Sequence, residues 1–490
     1  TMEAALIAFL LCTTYLVSGL LPHLSSSGSL YSRRTTRQSA EVLTSSWRNY
    51  QDRVRENVRE IGDRLDRSVA PDVRSDRTEV VESQGAFEPL SFSALQRAGH
   101  LGDKNDDVIV KLCARLERWH FAIVRLDDPE QLDAMGGLWS ETKSFYTDSV
   151  LGEEGSDVMR ARRLQRAGPV RATIEKDASL TVGYAAMDDN EFLDTRAGSG
   201  GTLHPLFTTR LPEVANDDGD TSLEYMGGVA AQERFVSGWR ILAEVGRAAC
   251  AAVALQVGGA AVSADWLRLV DDGEGVPGGS LSASVHRLCH YRNRDVESDV
   301  EAEKRRSSSK KPVAFGAHTD ATFFTVIPVA ATTGLQVFTP GELGWVSPES
   351  RAVHGTDVLL LPGEFTQVLS KGRFPCAVHR ILKPEPERAS SSIGNSPSAF
   401  GRLSAPLLLR GRNSEPLAKP ESAGADQVVG GLLKPRTRPN ANSHLSQPEF
   451  PAGVTMADLH RLLLQLLKED YDRRLDAETT MAAKSEALQE

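Results

Sequence analysis

Phe315-Gly316-Ala317-His318-Thr319-Asp320 is the stretch of this 490-residue chain that decides how the rest folds. An apolar run follows over 321–331, then Gly334-Leu335-Gln336-Val337-Phe338 and Trp345. Asp357 to Leu361 reads as a buried strand leading into Pro362-Gly363-Glu364, and Val378-His379-Arg380-Ile381 comes after it. The stretch closes on Gly401-Arg402-Leu403-Ser404-Ala405-Pro406-Leu407-Leu408-Leu409-Arg410. His318 and Asp320 stand two residues apart, so in an extended strand both side chains leave the same face. His379 reaches that pair only if a sheet folds back on itself. Two imidazoles and one carboxylate on one side of a metal leave the opposite positions open. That arrangement suits ferrous iron that must bind oxygen and an organic co-substrate together. A lone His-x-Asp arises by chance in a chain with 11 His and 66 acidic residues, and a structural role is then an equal reading. The segments around it give it weight.

Those segments, in this order, resemble the iron(II)- and 2-oxoglutarate-dependent dioxygenases of the plant and isopenicillin N synthase-like family. The landmarks are His318-Thr319-Asp320, the Gly334-Leu335-Gln336-Val337 strand and Trp345. The phrase 363–373, which runs Gly363-Glu364-Phe365-Thr366-Gln367 and onward, then precedes Val378-His379-Arg380-Ile381. The resemblance implies that His318, Asp320 and His379 ligate the iron. It also implies that Arg402 and Ser404 grip the distal carboxylate of 2-oxoglutarate. A guanidinium is a planar fork that pairs a carboxylate bidentately, and a hydroxyl two residues on shares its strand face. Arg388 and Ser390 have the same spacing, but sit among prolines, glutamates and serines that read as an inserted loop over 384–400. Ser284-Val285-His286-Arg287-Leu288-Cys289-His290-Tyr291 matches a strand that in the family usually carries Asn-x-Tyr. Tyr291 takes the tyrosine position, which by resemblance binds 2-oxoglutarate, while Cys289 replaces the asparagine. His286 and His290 read as packing or pocket residues.

The architecture that satisfies this order is mixed α and β: a double-stranded β-helix, or jelly roll, of about eight strands. N-terminal helices and a C-terminal helix flank it. The expected division is a leader and linker over 1–84, an N-terminal helical region over 85–275, a catalytic core over 276–412, and a polar loop with a closing helix over 413–490. The implied activity oxidises, by default hydroxylates, a small organic substrate and releases succinate and carbon dioxide. Fe(2+), 2-oxoglutarate and O2 are the implied cofactors, with ascorbate as an optional addition. Two alternatives stand beside it: an isopenicillin N synthase-like oxidase that needs no 2-oxoglutarate, and a non-catalytic, membrane-tethered binding module.

Composition narrows the partners. With 56 basic and 66 acidic residues the net charge is -10, which argues against nucleic acid, since phosphate binding wants a basic surface. Cys12, Cys113, Cys250, Cys289 and Cys376 are scattered and lack Cys-x-x-Cys spacing, so neither a disulfide framework nor a zinc site is expected. A monomer acting on a small molecule is the simplest expectation. Residues 4–21 carry no charge and are followed by Arg33, Arg34 and Arg37. A membrane anchor, a signal or transit segment and an unordered leader all fit, so the protein is either cytoplasmic or anchored or targeted to an organelle. Val54, Val58, Ile61 and Leu65, in line with Trp47, form an apolar row expected to dock on the domain itself.

Further on, 87–93 reads as a strand, 106–119 as a helix with His120 a structural residue at its end, and 120–126 as a strand. Residues 141–146 read as part of a helix, 230–255 as a long amphipathic helix, and 456–471 as a leucine-rich helix.

Overall fold

In a computed structural model of the chain, residues 51–68, 84–147, 171–198, 203–204, 228–292, 313–383, 401–417 and 454–469 are described, a few positions within them excepted. Segment 4–21, Trp47, the charged stretch 293–311, and Arg388 and Ser390 lie outside the described residues.

The N-terminal part supplies a helix over 54–65 (α1), strand β1 (Leu90–Ser91) and helix α2 (Phe92–Leu101). Helix α3 (Asp107–Trp119), strand β2 (Ala122–Arg125) and helix α4 (Pro129–Thr147) come next. The expected strand over 87–93 is only two residues long. Ser91 is the reason: its Oγ accepts from the Ala94 N–H at 3.0 Å and caps a helix instead. Helix α3 begins where the sequence places it, with the Asp106 carboxylate accepting from Val108, and ends on His120 in a left-handed conformation. Burial pushes the His120 imidazole down to about 3, so it is a neutral core residue.

Four strands of the N-terminal half, β3 (Arg171–Glu175), β4 (Ala178–Met187), β5 (Asn190–Ala197) and β6 (Leu203–His204), join the β-structure. That region is therefore not purely helical. The long helix α5 (Gly228–Leu269) runs further than 255 and breaks at Gly258 and Gly259, where the φ of Gly259 is +79°. It lies tight on the back of the sheet: a Cβ on Gly246 would meet Leu409 at 2.7 Å and Val326 at 3.0 Å.

The core strands are β7 (Val285–Tyr291), β8 (Val313–His318), β9 (Phe324–Pro328), β10 (Leu335–Thr339) and β11 (Gly344–Val346). They continue with β12 (Asp357–Pro362), β13 (His379–Leu382), β14 (Arg402–Ser404) and β15 (Leu407–Leu409). A short helix α6 (Glu364–Leu369) follows β12, and a helix over 456–467 (α7) comes last. The strands form two sheets. The large one has the order β1-β2-β12-β9-β15-β7-β5-β4-β3, with β14 also on β7, and the small one the order β11-β10-β13-β8. The chain crosses from one sheet to the other at every step between core strands except β10 to β11 and β14 to β15, and within each sheet the core neighbours are antiparallel. This is the winding of a double-stranded β-helix. β12, paired on both sides and buried at every residue, is accordingly the unbroken apolar run Val358-Leu359-Leu360-Leu361.

The apolar row of α1 does dock: Val54, Val58 and Ile61 are buried, and Arg64 donates to the Cys376 carbonyl at 2.6 Å. In α7, Leu459, Leu463 and Leu466 are buried in the main core.

Candidate active site

Period-two alternation decides which side chains line the space between the sheets. On β7, Arg287, Cys289 and Tyr291 face the cavity, while His286, Leu288 and His290 lie on the other face. His286 hydrogen-bonds the Ala405 carbonyl at 3.2 Å, and the His290 ring packs at a tilt against Tyr146 with centroids 5.1 Å apart. Both are packing residues, in keeping with the sequence. Thr325 and Ile327 of β9, Arg402 and Ser404 of β14, and Leu408 of β15 complete the wall from the large sheet.

The small sheet brings the two histidines together. β8 and β13 pair antiparallel with His318 directly opposite His379, and the ring centroids are 4.2 Å apart. This pairing is the fold-back that the third residue required. β8 ends at His318, so Asp320 stands in the turn that follows rather than on the strand. The Asp320 carbonyl takes the Thr322 and Glu364 N–H groups at 2.9 Å each, which fixes the turn. Its carboxylate comes 3.8 Å from His318 Nε2 and 3.5 Å from His379 Nε2. One ligand atom from each residue lies within 4.8 Å of the others, so the donor set of two imidazoles and a carboxylate fits a single small cation.

Each donor has a neighbour that orients it. His318 Nδ1 faces the Gly316 carbonyl at 2.8 Å and His379 Nδ1 the Ala377 carbonyl at 3.2 Å. A proton on Nδ1 satisfies both carbonyls and leaves both Nε2 lone pairs turned to Asp320. The Thr325 hydroxyl donates to Asp320 Oδ2 at 2.6 Å. Burial, with the neighbouring His379, pushes the His318 imidazole down to about 4. Burial alone would raise the Asp320 carboxyl, but His379, His318 and Thr325 outweigh it and hold the group below the usual carboxylate range.

At another part of the wall Arg402 lies across from Tyr291, and Ser404 across from Cys289. The guanidinium carbon sits 5.5 Å from the Tyr291 ring centroid. Burial pushes the Tyr291 hydroxyl well above its ordinary value and the Cys289 thiol up to about 11, so both keep their protons at neutral pH. Arg402 Nη2 donates to Glu349 Oε1 at 2.7 Å, and both side chains are fully buried. Its Nε and Nη1 have no hydrogen-bond partner among the described residues. Two buried donors on one cation that lines a cavity fit a carboxylate ligand.

Four neighbours were not legible as site residues. Arg287 lines the cavity and pairs bidentately with Asp194 of β5 at 2.6 and 2.9 Å. Asn190 and Phe192 of β5 enter the lining. Glu349 holds Arg402. Their signal in the sequence was weak: β5 is a short mixed segment, and Pro348-Glu349-Ser350-Arg351 reads as a solvent loop.

Residues 282–397 match the family model of the 2OG-Fe(II) oxygenase superfamily. The chain is 35% identical over 99 residues to gibberellin 3-beta-dioxygenase 2-3 of Triticum aestivum, a match that covers 20% of this chain and 26% of that protein. Among solved structures, a full-length Neurospora crassa protein in complex with alpha-KG and 5-formyluracil is 17% identical with a TM-score of 0.45; the alignment covers 77% of this chain and 94% of that one. The dioxygenase for auxin oxidation in rice is 15% identical with a TM-score of 0.38, over 64% of this chain and 82% of that one.

Proposed function

We propose that the chain, whose residues 282–397 match the family model of the 2OG-Fe(II) oxygenase superfamily, is an iron(II)- and 2-oxoglutarate-dependent dioxygenase that oxidises a small organic substrate, by default through hydroxylation. The observation that carries this reading is that one cavity holds both halves of the required set. His318, Asp320 and His379 converge there, and Arg402, which lines the same cavity, has two buried nitrogens without a hydrogen-bond partner among the described residues.

His318 Nε2, an Asp320 oxygen and His379 Nε2 would hold the metal. Thr325 keeps Asp320 Oδ2 in place, and the two backbone carbonyls fix the imidazole tautomers. Arg402 and Ser404 hold the distal carboxylate of the oxo acid, with Tyr291 beside them. When bound, ferrous iron with 2-oxoglutarate and oxygen supplies the oxidising chemistry, and the oxo acid leaves as succinate and carbon dioxide. Phe192, Phe315, Ile327, Leu335, Ile381 and Leu408 exclude water from the reacting centre. The orphan nitrogens of Arg402 fit a carboxylate in either a 2-oxoglutarate enzyme or an oxidase that draws all its electrons from its substrate, and succinate release from 2-oxoglutarate separates the two.

The experiment is Asp320→Ala. Wild type is expected to bind iron stoichiometrically and to release succinate from 2-oxoglutarate, and the variant is expected to lose both. Turnover at the wild-type rate in the variant ends this reading.

A further inference from the structure

We propose that Glu349 is a positioning residue: it clamps the Arg402 guanidinium so that Nε and Nη1 are presented to the distal carboxylate of 2-oxoglutarate. The inference rests on the function proposed above and adds a residue that the family pattern does not supply.

Glu349 lies on the 3-10 turn Pro348–Arg351 between β11 and β12, not on the cavity wall. Both of its oxygens are committed. Oε2 accepts the Gly334 and Leu335 N–H groups at 2.9 Å each, and Oε1 accepts Arg402 Nη2 at 2.7 Å. The two backbone donors at the start of β10 thus fix the carboxylate, and the carboxylate fixes one corner of the fork. Gly334 completes the clamp: a Cβ there would meet Arg402 Cδ at 2.8 Å and Nε at 3.2 Å. The side chain passes over a residue with no Cβ, so it has little room to swing. A guanidinium has five N–H donors in a rigid plane, and fixing one corner fixes the direction of the rest.

Charge gives a second reason. A buried arginine with no anion beside it is strongly destabilising, and the oxo acid is absent between turnovers. Glu349 keeps the cation paired through that interval. It leaves the co-substrate to satisfy only the two orphan donors.

The test measures binding, with Mn(II) in place of iron and no turnover. Dissociation constants are taken for 2-oxoglutarate and for pyruvate, which offers the same keto-acid end but no distal carboxylate. In Glu349→Gln an amide N–H2 must face either the Gly334 and Leu335 donors or Arg402. Its affinity for 2-oxoglutarate is to fall roughly tenfold to a hundredfold, while its affinity for pyruvate and Mn(II) stays at the wild-type value. Glu349→Asp keeps the charge but shortens the reach. It carries the same expectation and serves if the first variant does not fold. Unchanged or tighter 2-oxoglutarate binding, or equal loss for both oxo acids, overturns the proposal. A wild-type protein that itself fails to prefer 2-oxoglutarate over pyruvate overturns instead the functional reading beneath it.

Discussion

The two ends of the cavity are held in different ways. At one end His318, Asp320 and His379 converge their lone pairs, and the groups that orient them are neutral: two backbone carbonyls and the Thr325 hydroxyl. No lysine or arginine forms an ion pair with the Asp320 carboxylate among the described residues; its nearest ring neighbours are the two imidazoles. At the other end Arg402 is already neutralised inside the protein by a fully buried Glu349. The first end gathers donors that fit a cation; the second already pairs its cation and keeps two unpartnered donors. Metal should therefore govern the first end and folding stability the second.

The largest break in that comparison comes from Asp320→Ala, expected to abolish metal binding while leaving the thermal midpoint of the metal-free chain close to wild type. A large loss of metal-free stability would show that Asp320 is structural. Arg402→Met should do the reverse. It leaves Glu349 buried beside two backbone donors with no cation, at a cost of roughly 3–5 kcal/mol in urea unfolding, yet Mn(II) still binds. Metal addition then sharpens the contrast. With Mn(II) at about a hundred times its dissociation constant, wild type and Arg402→Met gain about 2.7 kcal/mol and Asp320→Ala gains nothing.

The smallest effect lies on the far face of β7, away from both ends. Burial pushes the His286 imidazole down to about 4, below its ordinary 6.5. The unfolded chain takes up the proton first, so His286 contributes its full stability above about pH 6.5, and that share declines as pH falls toward about 4. His286→Gln keeps a donor for the Ala405 carbonyl and removes the titration. On going from pH 7 to pH 5 the variant should lose about 2 kcal/mol less than wild type in urea unfolding.

The same contrast explains what the sequence disclosed. The convergence of His318, Asp320 and His379 was legible because their residue types are rare in a core and their order along the chain is distinctive. Arg402 and Ser404 were legible because they open an apolar strand. Their pairing opposite Tyr291 and Cys289 follows once β14 and β7 are neighbours. Glu349 was not, since a glutamate after a proline in a short turn carries no sign of burial; only the fold brings the N–H groups of β10 to it. Arg287 likewise gained its meaning from Asp194, a residue on a strand that the pattern did not mark as part of the sheet. The helix in place of the 87–93 strand turned on one serine cap, and the length of α5 on where two glycines fall. Local signals of that kind compete with apolar alternation, and alternation lost at Phe92.

Whether three side chains distant in the chain hold one ferrous ion is tested most directly by anaerobic titration of the full chain with Fe(II) in the presence of 2-oxoglutarate. The visible charge-transfer band of the keto-acid chelate follows its formation. Wild type should saturate at one iron per chain, and His318→Ala, Asp320→Ala and His379→Ala should each fail to develop the band. A band of wild-type strength in any of the three would contradict the site.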